Sequence, residues 1–169
     1  QEDFDYVILM DGDGEDRPEE LTSLFNKSKE NPLKTVTANR IKRSEGSFFK
    51  LLYECHKILT YVFTGKLIKF GNYSCLPKED AARLVKEACI WSSFSGSVTK
   101  IISDRVSVPS IRGKRYFGPS QMSFFKLLVH SFSIIAVFKG SVIVRSVLFL
   151  IFYLFFVSSN LSIVTLFPV

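Results

Sequence analysis

The sequence predicts an α/β domain that runs into an interfacial helix and then a membrane-spanning helix. Three observations carry this. The apolar run Tyr6–Met10 ends abruptly in acids, as a sheet strand does where it meets a ligand-facing loop. A helix signature and a second strand signature follow it, making one strand–helix–strand unit. The last 24 residues, Ser146–Val169, carry no charge. Such a stretch makes roughly 36 Å of helix, enough to cross a bilayer core.

Taken in order, "YVILM" reads as a strand buried on both faces of a parallel sheet. Pro18–Lys29 reads as a helix, with Pro early, Glu19 and Glu20 in the first turn, and Leu21, Leu24 and Phe25 on one face. "KTVTA" (34–38) reads as the next strand, adjacent to the first. Ser47–Phe63 is a second helix, with Leu51, Leu52, Cys55, Ile58, Leu59 and Val62 at helical spacing. "KLIKFGNYSCLP" (66–77) reads as strand and turn around Gly71, Pro77–Ser92 as a third helix, and Thr99–Pro109 as a strand. In Gln121–Lys139 the polar residues Ser123, Lys126, His130 and Ser133 share one helical face opposite Phe, Leu, Val and Ile, which fits a helix lying in the membrane interface. The chain thus divides into residues 1–118 (a partial α/β domain), 119–140 (the interfacial helix) and 141–169 (the spanning segment). Beginning at Gln1 and ending within or just past the apolar run, it reads as a piece of a longer protein.

Composition narrows the class. Net charge is +6, with the excess between Lys34 and Arg145. No nucleic-acid motif accompanies it, so membrane lipids and phosphate ligands are the expected partners and nucleic acid is not. Lys114, Arg115, Lys126, Lys139 and Arg145 precede the spanning segment, which places the domain in the cytoplasm, at an inner or plasma membrane. Cys55, Cys75 and Cys89 form no CxxC pair and read as free thiols. His56 and His130 have no acids at metal-ligand spacing and read as structural.

The chemistry lies in "DGDGED". Asp11 and Asp13, two apart at a strand end, can both turn toward one hard cation, and Glu15 stands two further on. Mg²⁺ or Mn²⁺ takes a few carboxylate oxygens and completes its shell from substrate phosphates. The bland alternative is a polar turn. A basic group, Arg40, Lys42, Arg43 and Lys50, follows the second strand, where Arg forks grip phosphate oxygens.

"VILMDGDGEDRPEEL" followed by "ANRIKRSEGSFFKLLYECHKILTYVFTG" resembles the family 2 inverting glycosyltransferases, and most closely their polyprenyl-phosphate branch. That branch has a D-x-D pair, a Gln two further on, then D/H-P-P-E. Here Asp11 and Asp13 match the pair, Glu15 replaces the Gln, and Arg17-Pro18-Glu19 closes the motif with one Pro replaced. Arg40 and Arg43 match an R-x-x-R. Arg112, Arg115, Gly118 and Ser120 match an R-x-x-R-x-x-G-x-S pattern ahead of the membrane helices.

The resemblance implies a GT-A fold, a nucleotide-diphosphate sugar donor, a divalent metal and a polyprenyl-phosphate acceptor. Asp11, Asp13 and Glu15 would hold the metal on the donor diphosphate, with Asp13, Arg40 and Arg43 as the catalytic set. Arg40, Arg43, Lys50, Arg112, Arg115 and Ser120 would bind substrate phosphates, and Gly71, Asn72 and Tyr73 would line the pocket. Glu15, charged where the family has Gln, should tighten the metal and weaken the diphosphate. A homo-oligomer through the membrane helices is a further possibility. Competing readings are a saccharide acceptor, a haloacid dehalogenase-type phosphatase, in which the first Asp of a D-x-D is a nucleophile, and a non-catalytic membrane-anchored binding module.

Overall fold

A computed structural model describes residues 3–42, 47–118 and 123–166, and only the backbone of 42, 47–50 and 161–166. The expected α/β architecture is present. Four strands, β1 (Tyr6–Leu9), β2 (Thr35–Lys42), β3 (Phe70–Pro77) and β4 (Arg105–Ile111), form one mixed sheet in the order β1-β3-β2-β4. The helices are α1 (Leu21–Glu30), α2 (Ser47–Thr64), α3 (Lys78–Leu84), α4 (Phe94–Ile101), α5 (Phe124–Val137) and α6 (Lys139–Leu166).

The sheet departs from the expected order. β3 lies antiparallel between β1 and β2, so those two point the same way without touching, while β4 runs parallel to β2. The cause is α2, which packs on α5 and α6. It returns the chain to the sheet near the end where β2 left it, with Asn39 opposite Phe70. A strand entering from that end must run backwards. β1 is consequently a half-buried edge strand, not a central one, and its apolar run reflects partial cover on two faces.

Side-chain alternation along β3 builds three layers. Cys75 joins Leu24 of α1, Val36, Ala38, Tyr73 and Val108 on one face. Leu76 joins Leu84 of α3, and Val98 and Ile102 of the α4 region, on the other. Period-two geometry sends neighbours to opposite faces, and a helix layer covers each. Thr35 Oγ1 donates to the buried Asp80 carboxylate at 2.7 Å and ties α3 to β2.

The single helix expected over Pro77–Ser92 is α3 and a short 3₁₀ turn at Ala88–Trp91. α4 then occupies the start of the expected 99–109 strand, and β4 begins only at Arg105. Ser93 caps α4 by accepting the Gly96 N–H at 3.2 Å. Ser93→Ala should cost about 1 kcal/mol, seen as a small fall in the thermal midpoint; an unchanged midpoint would show the cap to be idle.

α5 is buried along Ser131, Ile134 and Val137, while Phe125, Val129 and Phe132 stay exposed. α6 carries a 22-residue stretch, Lys139–Asn160, long and apolar enough to cross a membrane, with 0% of it buried against the rest of the chain.

Candidate functional site

The carboxyl ends of β1, β2 and β4 meet at one edge of the sheet, beside the first residues of β3. Loops at that edge carry the ligand chemistry in α/β sheets. A cavity of about 520 Å³ opens there. Its walls include Asp11, Asp13 and Glu15 from the loop after β1, Arg40 from β2, and Arg112 and Arg115 from the segment after β4.

The acid loop is held by its own hydrogen bonds. Asp13 Oδ1 accepts the Glu15 N–H at 3.0 Å, an Asx-type turn. The buried Asp16 accepts the Asp11 N–H at 3.0 Å through Oδ2 and faces Arg40 Nη2 at 3.4 Å through Oδ1. Burial pushes the Asp16 carboxyl above its ordinary range, against the opposing pull of the Asp11 N–H and the Arg40 charge. Gly14 has φ +87°, and the Tyr116 ring lies where a Cβ at Gly14 would sit, 2.8 Å from the nearest ring carbon. A side chain there would meet both the left-handed backbone and the ring.

The segment after β4 straps across this loop. The Gly113 N–H donates to the Glu15 carbonyl at 2.8 Å and the Tyr116 N–H to the Asp13 carbonyl at 3.0 Å. A Cβ on Gly113 would lie 2.4 Å from the Gly14 carbonyl oxygen, so only glycine permits the approach. Arg115 pairs with Asp13 Oδ2 at 2.9 Å and with Glu15 Oε1 at 3.1 Å, and Arg112 pairs with Glu15 Oε2.

These contacts place Glu15 differently from a metal ligand: both of its oxygens face arginines. Its extra charge, relative to a neutral Gln, is balanced within the protein. Asp13 is engaged likewise, by the Glu15 N–H at Oδ1 and by Arg115 at Oδ2, and Asp11 Oδ1 accepts from Asn72 at 3.0 Å, so a cation held by Asp11 and Asp13 would take Asp13 from Arg115. No group of three or more His, Cys, Asp or Glu converges as a metal cage among the described residues. Two carboxylates suit Mg²⁺ or Mn²⁺ carried with a substrate diphosphate, which relies on few protein ligands.

Gly71 and Asn72 line the cavity as expected. A Cβ at Gly71 would come 2.8 Å from Arg40 Nη2, so the glycine leaves room for the guanidinium. Tyr73 does not line it. One residue on along β3, its ring turns into the core at 2% exposure and its hydroxyl donates to the Arg17 carbonyl at 3.1 Å. Burial, then the Glu20, Asp16 and Glu19 charges, push the Tyr73 phenol up to about 12. Arg43 and Ser120 lie outside the described residues, and Lys50 is described only as backbone in the first turn of α2.

Asp16, His56 and His130 also belong to the site, although the sequence reading assigned them no function. Both histidines line the cavity, their rings 5.7 Å apart, where α2 meets α5. Ser131 Oγ donates to the Leu127 carbonyl at 2.8 Å and lies 2.5 Å from His56 Nδ1. A separation of 74 positions hides this pair from any local motif. Desolvation, with the Arg40 charge second, lowers the His130 pKa, although the residue is exposed on α5.

No family model, curated protein or solved structure matches this chain.

Proposed function

We propose that this protein is a membrane-associated, metal-dependent inverting glycosyltransferase of GT-A type. It moves a sugar from a nucleotide-diphosphate donor to a polyprenyl-phosphate acceptor. One observation carries the reading: acids from the loop after β1 and arginines from β2 and from the segment after β4 share one cavity, and α5, which precedes the apolar α6, forms part of its wall.

Asp11 and Asp13 would hold Mg²⁺ or Mn²⁺, which when bound supplies charge neutralisation on the donor diphosphate. Arg40, at the end of β2, presents a guanidinium to an anion in the cavity. Arg112 and Arg115 lie within reach of the same volume and exchange their carboxylate partners for phosphate oxygens. The acceptor phosphate is already an anion, so attack on the sugar needs no general base. The work is to hold two anions in line and balance their charge. Glu15 acts through Arg112 and Arg115 as a positioning residue. α5 exposes an apolar stripe that would seat the cavity at the lipid surface, and the basic residues ahead of α6 support a cytoplasmic orientation at an inner or plasma membrane.

The test is transfer of radiolabelled sugar by the full chain to polyprenyl phosphate, from several nucleotide-sugar donors, with and without Mn²⁺. Metal-dependent label in the lipid fraction is expected. Label in no lipid product from any donor overturns the reading, and phosphate release from a generic phosphoester favours the phosphatase alternative.

A further inference from the structure

A second cavity, of about 560 Å³, lies at the foot of α6 and shares no lining residue with the first. Lys66, Lys100, Arg105 and Lys139 line it, and no acid does. Among the described residues, none of the three lysines has an acidic partner. Three exposed lysines without acidic partners around one hollow, with Arg105 beside them, make it attractive to an anion.

One further feature points inward. The first turn of α6, Lys139 to Ser141, also lines the cavity, and the opening N–H groups of a long helix attract negative charge. Arg105 is fixed in place: its Nη1 donates to the Val98 carbonyl at 3.3 Å and to the Ile102 carbonyl at the end of α4.

We propose that this cavity binds the phosphate-bearing headgroup of an anionic membrane lipid. The chemistry is that of any phosphate, and position selects the lipid. Lys139 and Arg145 stand at the start of α6, ahead of its uncharged run, so a spanning α6 sets the cavity on the headgroup side of the bilayer core. Leu67, 58% exposed on the rim, offers a surface to the acyl chains. Basic pockets beside membrane helices on the cytoplasmic side bind lipid phosphates in this way. The inference rests on α6 crossing the membrane and not on sugar transfer.

The experiment is native mass spectrometry of the full chain in mild detergent, titrated with phosphatidylglycerol, phosphatidylcholine or inorganic phosphate. No sugar donor or acceptor is present, so the outcome is independent of the transferase reading. Wild type should retain phosphatidylglycerol over phosphatidylcholine. Lys100→Gln with Lys139→Gln should weaken phosphatidylglycerol binding roughly 10- to 30-fold, at about one lysine's worth of surface attraction each. A control pair with the same charge change on α1, Lys27→Gln with Lys29→Gln, should leave binding within about twofold of wild type. Equal losses in the two lysine pairs, wild-type binding by the Lys100/Lys139 pair, or inorganic phosphate binding as tightly as the lipid would each overturn the proposal.

Discussion

If the protein is the proposed transferase, Asp13→Ala should lower sugar transfer to polyprenyl phosphate by roughly 100- to 1,000-fold, the scale seen when one preorganised electrostatic partner of a reacting group is removed. Asp13 serves the site twice. Its Oδ1 fixes the turn through the Glu15 N–H, and its Oδ2 faces Arg115 and the cavity. Removing it takes away one of the two carboxylates proposed to hold a cation and leaves Arg115 on Glu15 alone. The side chain is 32% exposed, so its loss should disturb the fold little, and the thermal midpoint should stay close to that of the wild type. Initial rates across a Mn²⁺ titration check this. Asp13→Asn keeps the turn acceptor but not the charge and should be almost as inactive. Wild-type transfer by Asp13→Ala would remove the acid loop from the mechanism.

Asp16→Ala should be the more damaging change to the fold. Asp16 is 3% exposed, accepts the Asp11 N–H and faces Arg40, whose side chain is 19% exposed. Deleting one partner of a largely buried pair leaves the other's charge and a backbone donor uncompensated, and a loss of about 3–5 kcal/mol is expected for a fully buried pair. Arg40 keeps some solvent, so the value should fall toward about 2–3 kcal/mol. Circular dichroism melting of the purified chain measures it. Asp16→Asn retains an acceptor for the Asp11 N–H and should recover part of the loss. Transfer should fall in both variants, because Arg40 loses its anchor on the cavity wall. A melting curve unchanged by Asp16→Ala would show that the pair does not stabilise the fold.

Several elements were legible because their signals are local. The apolar run ending at Asp11 marks β1 and its loop within a few residues of each other. The helical spacing from Leu51 to Val62 marks α2, and the uncharged run after Arg145 marks α6. Local periodicity and turn chemistry report on neighbours in the chain, and these elements depend on little else. The stretch from Pro77 to Pro109 is less legible because Ser93 caps a helix that begins where the apolar pattern is weak. The cap, rather than the hydrophobic period, starts α4.

The sequence by itself determined that acids follow a strand, that cations follow the next strand, and that an apolar helix long enough for a membrane closes the chain. Only the tertiary structure decided which charges face each other. Placing β3 backwards between β1 and β2 turned Tyr73 into the core and Asn72 toward Asp11. Folding the segment after β4 across the loop put Arg112 and Arg115 on Glu15, and Arg115 on Asp13 as well. Strand order and long-range ion pairs depend on contacts between residues 61 to 100 positions apart. No local pattern encodes those contacts, because their free energy appears only once the sheet has formed.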